Sequence, residues 1–149
     1  MTATAATLFK QPSARRAWGL SALAVVGACL AILLYRNDPA NPDSQWASCV
    51  FRDITGWYCI GCGMTRACYA MLHGHPLHAF AMNPLGVTLM PVAALSLAWW
   101  AGWQPRMFAP LMRVLNMPKL WMILLPAYWI ARNLPWAPFH WLAPGGLNW

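Results

Sequence analysis

"AWGLSALAVVGACLAILLY", residues 17–35, decides the class of fold. It holds no charged side chain, and a helix of about 20 residues crosses about 30 Å of hydrocarbon. The stretch reads as a transmembrane helix. A signal peptide or a lipoprotein site ending at Cys29 would turn polar there. Instead "LAILLY" carries the apolar run past Cys29, which reads as a small buried hydrophobe in the span.

Composition agrees. The chain has 149 residues, 60% hydrophobic and 9% charged, whereas a soluble domain carries about 25% charged residues. Its 11 Trp suit a membrane–water interface. The net charge of +7 comes from Lys and Arg set beside apolar runs. That pattern fits lipid contact and orientation, not nucleic-acid recognition. The acids Asp38, Asp43 and Asp53 are too few for much acid–base chemistry, and no phosphate-cradling Gly loop is present.

Outward from the span, residues 1–16 are small and polar, with Lys10, Arg15 and Arg16 near their end. They read as a disordered cytoplasmic N-terminus. Residues 36–63 hold all three acids, several turn formers and three Cys, and read as a Cys-containing extracytoplasmic loop. No charged residue then occurs between Ala67 and Pro105. Residues 64–82 read as an interfacial helix and a His-rich loop, with Gly74 and Pro76 ending the helix. Asn83 and Pro84 read as a cap and a first-turn Pro, opening a second span over 84–103 that Pro91 kinks.

Residues 104–117 are short and basic, reading as a cytoplasmic loop on the membrane surface. A third span is expected over 118–134, kinked at Pro126, with Arg132 snorkelling from its end. Residues 135–149 form an aromatic, Pro-rich interfacial tail. The fold class is thus an all-α membrane protein with three transmembrane helices and a short interfacial or re-entrant amphipathic helix. With the N-terminus cytoplasmic, that side holds six Lys and Arg, and the other side holds four with all three Asp. The Cys loop then faces an oxidising compartment, which favours disulfides over metal thiolates.

"YCIGCGMTRACYAMLHGHPLH", residues 58–78, carries the chemistry. "MTRACYAMLH", residues 64–73, reads as a helix with Met64, Ala67, Cys68, Met71 and Leu72 on one face. Cys59 and Cys62 precede it, and Gly61 and Gly63 let the backbone turn around them. A Cys pair at this spacing serves metal clamping and dithiol exchange alike. Cys49 offers a third sulfur, and His73, His75 or His78 a fourth zinc ligand. Cys49 also offers a bridge to Cys59 or Cys62, which would stabilise by roughly 2–4 kcal/mol. Thr65 and Arg66 stand one turn beyond Cys62 as a recognition point, Arg66 being able to grip a carboxylate or phosphate bidentately or to pair with Asp53. Cys68 and the His residues read otherwise as a packed thiol and as interfacial polar groups. His140, among the tail's Trp, reads as inert.

"CVFRDITGWYCIGCGMTRA" at 49–67, "LHG" at 72–74 and "NPL" at 83–85 resemble a bacterial family of small membrane proteins known as domain of unknown function 2752. The family's pattern is a first Cys, a Thr-Gly, C-P-G-C-G-x-T-R-A, a Leu-x-Gly and an Asn-Pro-Leu. Ile60 stands where the family has Pro, which leaves the turn between the two Cys looser. The resemblance implies bacterial membrane residence and a constrained Cys loop, and no reaction.

The leading expectation is a non-enzymatic binding or accessory protein of the bacterial inner membrane, multi-pass, with a disulfide shaping the loop through Cys49, Cys59 and Cys62. One alternative is a zinc-binding membrane protein using Cys49, Cys59, Cys62 and a His, with His73 foremost. The other is a membrane thiol–disulfide oxidoreductase using Cys59 and Cys62. No thioredoxin-like alternation of strands and helices surrounds that pair. The expected partners are the lipid bilayer and another membrane protein, not nucleic acid. Zinc is the one cofactor the residues suggest.

Overall fold

A computed structural model describes residues 14–41 and 49–146, except for the side chains of residues 14–16. Most of the N-terminal stretch, the middle of the 36–63 loop with Asp43, and residues 147–149 of the tail lie outside the described residues. The described residues are helical and hold no strand, so the architecture is all-α.

Helix α1 spans Ala14–Arg36. Its described side chains are mostly exposed, with Leu23, Val25, Val26, Leu30 and Ile32 all facing outward. Apolar side chains around a whole helix suit a membrane span. Helix α2, Val50–Thr55, lies in the loop that sequence reasoning left irregular, and Gly56 closes it in the left-handed region. Helices α3 (Met64–Leu72) and α4 (Pro76–Met82) form a hairpin whose turn needs Gly74 at φ +75°. Helix α5, Pro84–Ala101, is capped by Asn83, whose side chain accepts from the Gly86 N–H. Helices α6 (Ala109–Leu115) and α7 (Pro118–Ala131) follow.

Among the described residues two helices, α1 and α5, are long and apolar enough to cross a membrane. The expected third span is not one straight helix. Fourteen residues of α7 rise only about 21 Å. A third crossing exists only if α7 joins the segment Arg106–Leu115, from which it is bent by 62°. Met117 and Pro118 make that break, because the residue before a Pro is pushed out of the helical region.

The packed centre is built from small residues. Ala67 and Ala70 of α3 and Ala79 of α4 are buried together, with Met82 and Val87 against them. Alanines let two backbones approach closely where lipid gives no hydrophobic drive between helices. The expected α3 face is therefore shifted, for Met71 and Leu72 are exposed while Ala70 is buried. Tyr35 of α1 stacks on His73 at the end of α3, with ring centroids 4.4 Å apart. The tail turns back on the hairpin, where the Gly145 N–H donates to the Ala81 carbonyl at 3.1 Å.

Candidate functional site

The Cys loop lies between α2 and α3. Cys49 caps α2, and Cys62 stands two residues before α3. Gly63 joins loop to helix at φ +82°, and a Cβ there would strike the Met82 carbonyl oxygen. Gly61 has no such demand and opens onto free space, so only one of the two glycines is needed for the turn.

Three sulfurs converge. The Cys49 and Cys59 Sγ atoms lie 3.5 Å apart, and those of Cys59 and Cys62 lie 3.0 Å apart. All three fall within 4.8 Å of one another. The Cys59 N–H donates to the Cys62 sulfur at 3.1 Å. All five cysteines are free thiols. The expected disulfide is therefore not present, since a bridge needs about 2.05 Å between sulfurs.

A buried polar clamp shapes the loop instead. Arg132, just past α7, is 1% exposed. Its Nη1 donates to the Cys59 and Ile60 carbonyls at 2.9 and 2.7 Å, and its Nη2 to the Cys62 carbonyl at 3.0 Å. The Tyr128 ring lies 5.2 Å from the same guanidinium. Asn83 is also buried, and its Nδ2 donates to the Ile60 and Cys62 carbonyls at 3.1 and 3.2 Å. Its Oδ1 accepts from the Gly86 N–H and from the Tyr128 hydroxyl. Two donors and two acceptors exhaust what an Asn amide can do. Asn133 grips the loop's start, accepting from the Tyr58 N–H at 2.8 Å and donating to the Tyr58 carbonyl at 3.0 Å. Arg132 thus turns inward rather than snorkelling, because three carbonyls need its fork of donors.

The carbonyls of the Cys loop point at a cation, and the sulfurs gather elsewhere. The thiols differ in acidity. The Arg52 backbone N–H, then the Cys62 thiol, lower the Cys49 pKa. Burial, followed by the Cys59 and Cys49 thiols beside it, pushes Cys62 up to about 12. In the metal-free chain Cys62 is thus a neutral thiol at ordinary pH, and it needs a cation to become a thiolate.

The thiols border a cavity of about 350 Å³ that Arg52, Asp53, Thr65 and Arg66 also line. The recognition pair Thr65 and Arg66 therefore stands beside the cluster. No ion pair joins Arg66 to Asp53 among the described residues. Arg52 lies over the Tyr58 ring at 4.4 Å.

The expected fourth ligand stands elsewhere. His73 is at the far end of α3, ten residues and about 15 Å of helix from Gly63. Its Nδ1 lies 2.9 Å from the Tyr69 carbonyl oxygen. His75, His78 and His140 lie outside the thiol cluster as well. Sequence reasoning missed Asn133 and the clamp role of Arg132 and Asn83. The one available signal was a polar trio, "ARN" at 131–133, inside an apolar segment.

No curated protein matches the chain, and no solved structure does. A family model described as "Protein of unknown function (DUF2752)" matches residues 49–97, from the first thiol of the cluster into α5. The matched segment holds all three converging thiols, and over it the chain is similar to the DUF2752 family.

Proposed function

We propose that the chain is a membrane-anchored metal-binding protein that holds a zinc-class cation on the thiolates of Cys49, Cys59 and Cys62. The carrying observation is the convergence of the three sulfurs within 4.8 Å. Zinc bonds sulfur at about 2.3 Å, so a tetrahedral site sets its sulfurs about 3.8 Å apart, close to the spacing here. The Cys59 N–H that donates to the Cys62 sulfur favours thiolate over thiol. The protein supplies three ligands, and the fourth position opens on the cavity. An open position belongs to sites that exchange ligands, not to closed structural ones.

The Arg132 and Asn83 hydrogen bonds hold the loop as outer partners hold ligands in metal sites generally. The membrane reading extends this one. We place the chain in the bacterial cytoplasmic membrane, N-terminus inside, with the thiols on the outer face, and take lipid and a second membrane protein as its partners. On that face an oxidant competes with the metal. Bound metal is what keeps three thiolates this close from pairing. The 3.0 Å between the Cys59 and Cys62 sulfurs supports a second reading, dithiol exchange, in which these two close a bridge when metal is absent.

The test is purification in mild detergent without reductant, followed by metal analysis and thiol alkylation on the same sample. One metal per chain is expected, lost in Cys62→Ser and kept in Cys29→Ser, because Cys29 lies exposed on α1 apart from the cluster. Metal-free protein with two thiols released only by reductant would overturn the metal reading in favour of the bridge.

A further inference from the structure

The thiol cavity holds more positive charge than its chemistry needs. Arg52 and Arg66 line it, and neither makes an ion pair among the described residues. Asp53 is the one acid on its wall. Behind the loop stands the buried Arg132, with no acidic partner among the described residues.

The backbone adds donors. At the start of α3 the Met64 N–H bonds the Gly61 carbonyl, and the Ala67 N–H bonds the Gly63 carbonyl. The Thr65 and Arg66 amides between them have no acceptor among the described residues, and no side chain caps the helix. They are free as first-turn amides are, because Gly63 caps the helix in the left-handed region and Cys62 lies outside it. Arg52, Thr65 and Arg66, the last two with free amides, thus line one cavity.

We propose that this cavity binds an oxyanion, a phosphate group, gripped by Arg52 and Arg66 and seated on the first turn of α3. The inference rests on the metal reading for its charge balance. A divalent cation on three thiolates leaves one negative charge, and Asp53 adds another. The three arginines outweigh these by one, so a single anionic group at the open position neutralises the site. Paired guanidiniums bind phosphate through parallel N–H bonds, which favours phosphate over a spherical anion. About 350 Å³ admits a free phosphate or the headgroup of a lipid whose tails stay outside. Both sources share the chemistry, and experiment separates them.

The experiment uses the full chain in phosphatidylcholine nanodiscs, with zinc content measured on every sample. Inorganic phosphate is titrated by calorimetry. In parallel, discs containing phosphatidylglycerol are analysed by native mass spectrometry for lipid that stays with the protein. The variants are Arg52→Gln, Arg66→Gln and the double variant, with Arg113→Gln on α6 as a remote control and circular dichroism to verify folding. Each single variant is expected to weaken binding by roughly threefold or more, the double variant by at least about tenfold, and the control not at all. Phosphate binding without lipid retention assigns a free phosphate. Retained phosphatidylglycerol that phosphate displaces assigns a headgroup. Binding unchanged in the double variant, or no binding of either probe to zinc-loaded wild type, overturns the proposal while leaving the metal reading intact. Wild type that takes up no zinc overturns the metal reading instead, and the same titration still judges the oxyanion site.

Discussion

Arg132 donates from its Nη1 to the Ile60 carbonyl at 2.7 Å, and this bond joins the end of α7 to the tip of the Cys loop. The two residues are 72 positions apart. The residue at position 60 takes part through its backbone, so its side chain is free to vary. Pro or Ile presents the same carbonyl.

Arg132→Met keeps much of the side chain's length and removes every donor. The Cys59 carbonyl then loses its guanidinium partner, and the Ile60 and Cys62 carbonyls keep only Asn83. A loss of about 3 kcal/mol is expected, with metal affinity lowered at least about tenfold. Arg132→Lys should recover part of either, since an ammonium supplies charge without the planar fork. Thermal unfolding in detergent and competition against a chelator give the two numbers. Wild-type metal affinity in Arg132→Met would refute the clamp.

Asn83→Leu preserves volume and deletes four hydrogen bonds at once. The Gly86 N–H at the start of α5 loses its cap, and two loop carbonyls lose a donor. Each unmet buried group costs about 1–3 kcal/mol, so roughly 3 kcal/mol or more is expected in total. The same melting experiment reads it, and a change under about 1 kcal/mol would contradict the fourfold pairing.

Gly63→Ala and Gly61→Ala form a matched pair. Position 63 has φ +82° and faces the Met82 carbonyl, so Ala there strains the backbone and collides with α4. Position 61 meets nothing within 4 Å and keeps an ordinary φ. Metal retention and stability should fall sharply in the first, by more than about 1 kcal/mol, and hardly move in the second. Equal effects would show that the loop is not anchored at Gly63.

Metal affinity should fall on acidification. Cys62, pushed up to about 12 by burial, carries its proton throughout the neutral range in the metal-free chain. Binding must release that proton, so affinity rises at least about tenfold per pH unit from about pH 6 to about pH 8. Cys49, whose pKa is lowered, gives up its proton more readily and adds less to the slope as pH rises. Chelator competition across pH gives the slope, and proton release in weak buffer gives an independent count. Affinity independent of pH would exclude Cys62 as a ligand.

The same acidities order the thiols toward alkylation. In metal-free protein Cys49 should react first, and Cys62 last and only at strongly alkaline pH. Mass analysis of partly labelled protein reads that order, and rapid labelling of Cys62 at neutral pH would contradict its burial.

Local chemistry made part of this legible in sequence. The uncharged run at 17–35 announced its helix because about 19 apolar residues in a row are too long for a strand. Asn83 followed by Pro84 announced a helix start, and the side chain does cap α5. The gathering of Cys49, Cys59 and Cys62 was legible as a set, because Cys rarely clusters without cause. What escaped notice depended on distance along the chain. Nothing near Arg132 says that it will face carbonyls 72 residues earlier, and an Arg at the end of an apolar run ordinarily reaches for water. The fourth zinc ligand was misplaced for a similar reason. His73 is near Cys62 in sequence, but nine residues of helix carry it to the opposite end of α3. The third span stands only as a bent pair, because α7 is too short to cross alone and Met117 and Pro118 break it from the segment before.

The clamp also sets how the chain can be divided. The segment matched by the family model ends at residue 97, yet the guanidinium and the amide that grip the Cys loop come from residues 132 and 133. A fragment cut at that boundary would keep the three converging sulfurs and Asn83 and lose the hydrogen bonds of Arg132 and Asn133. A piece that carries the whole clamp therefore has to run past the matched segment, at least as far as Asn133.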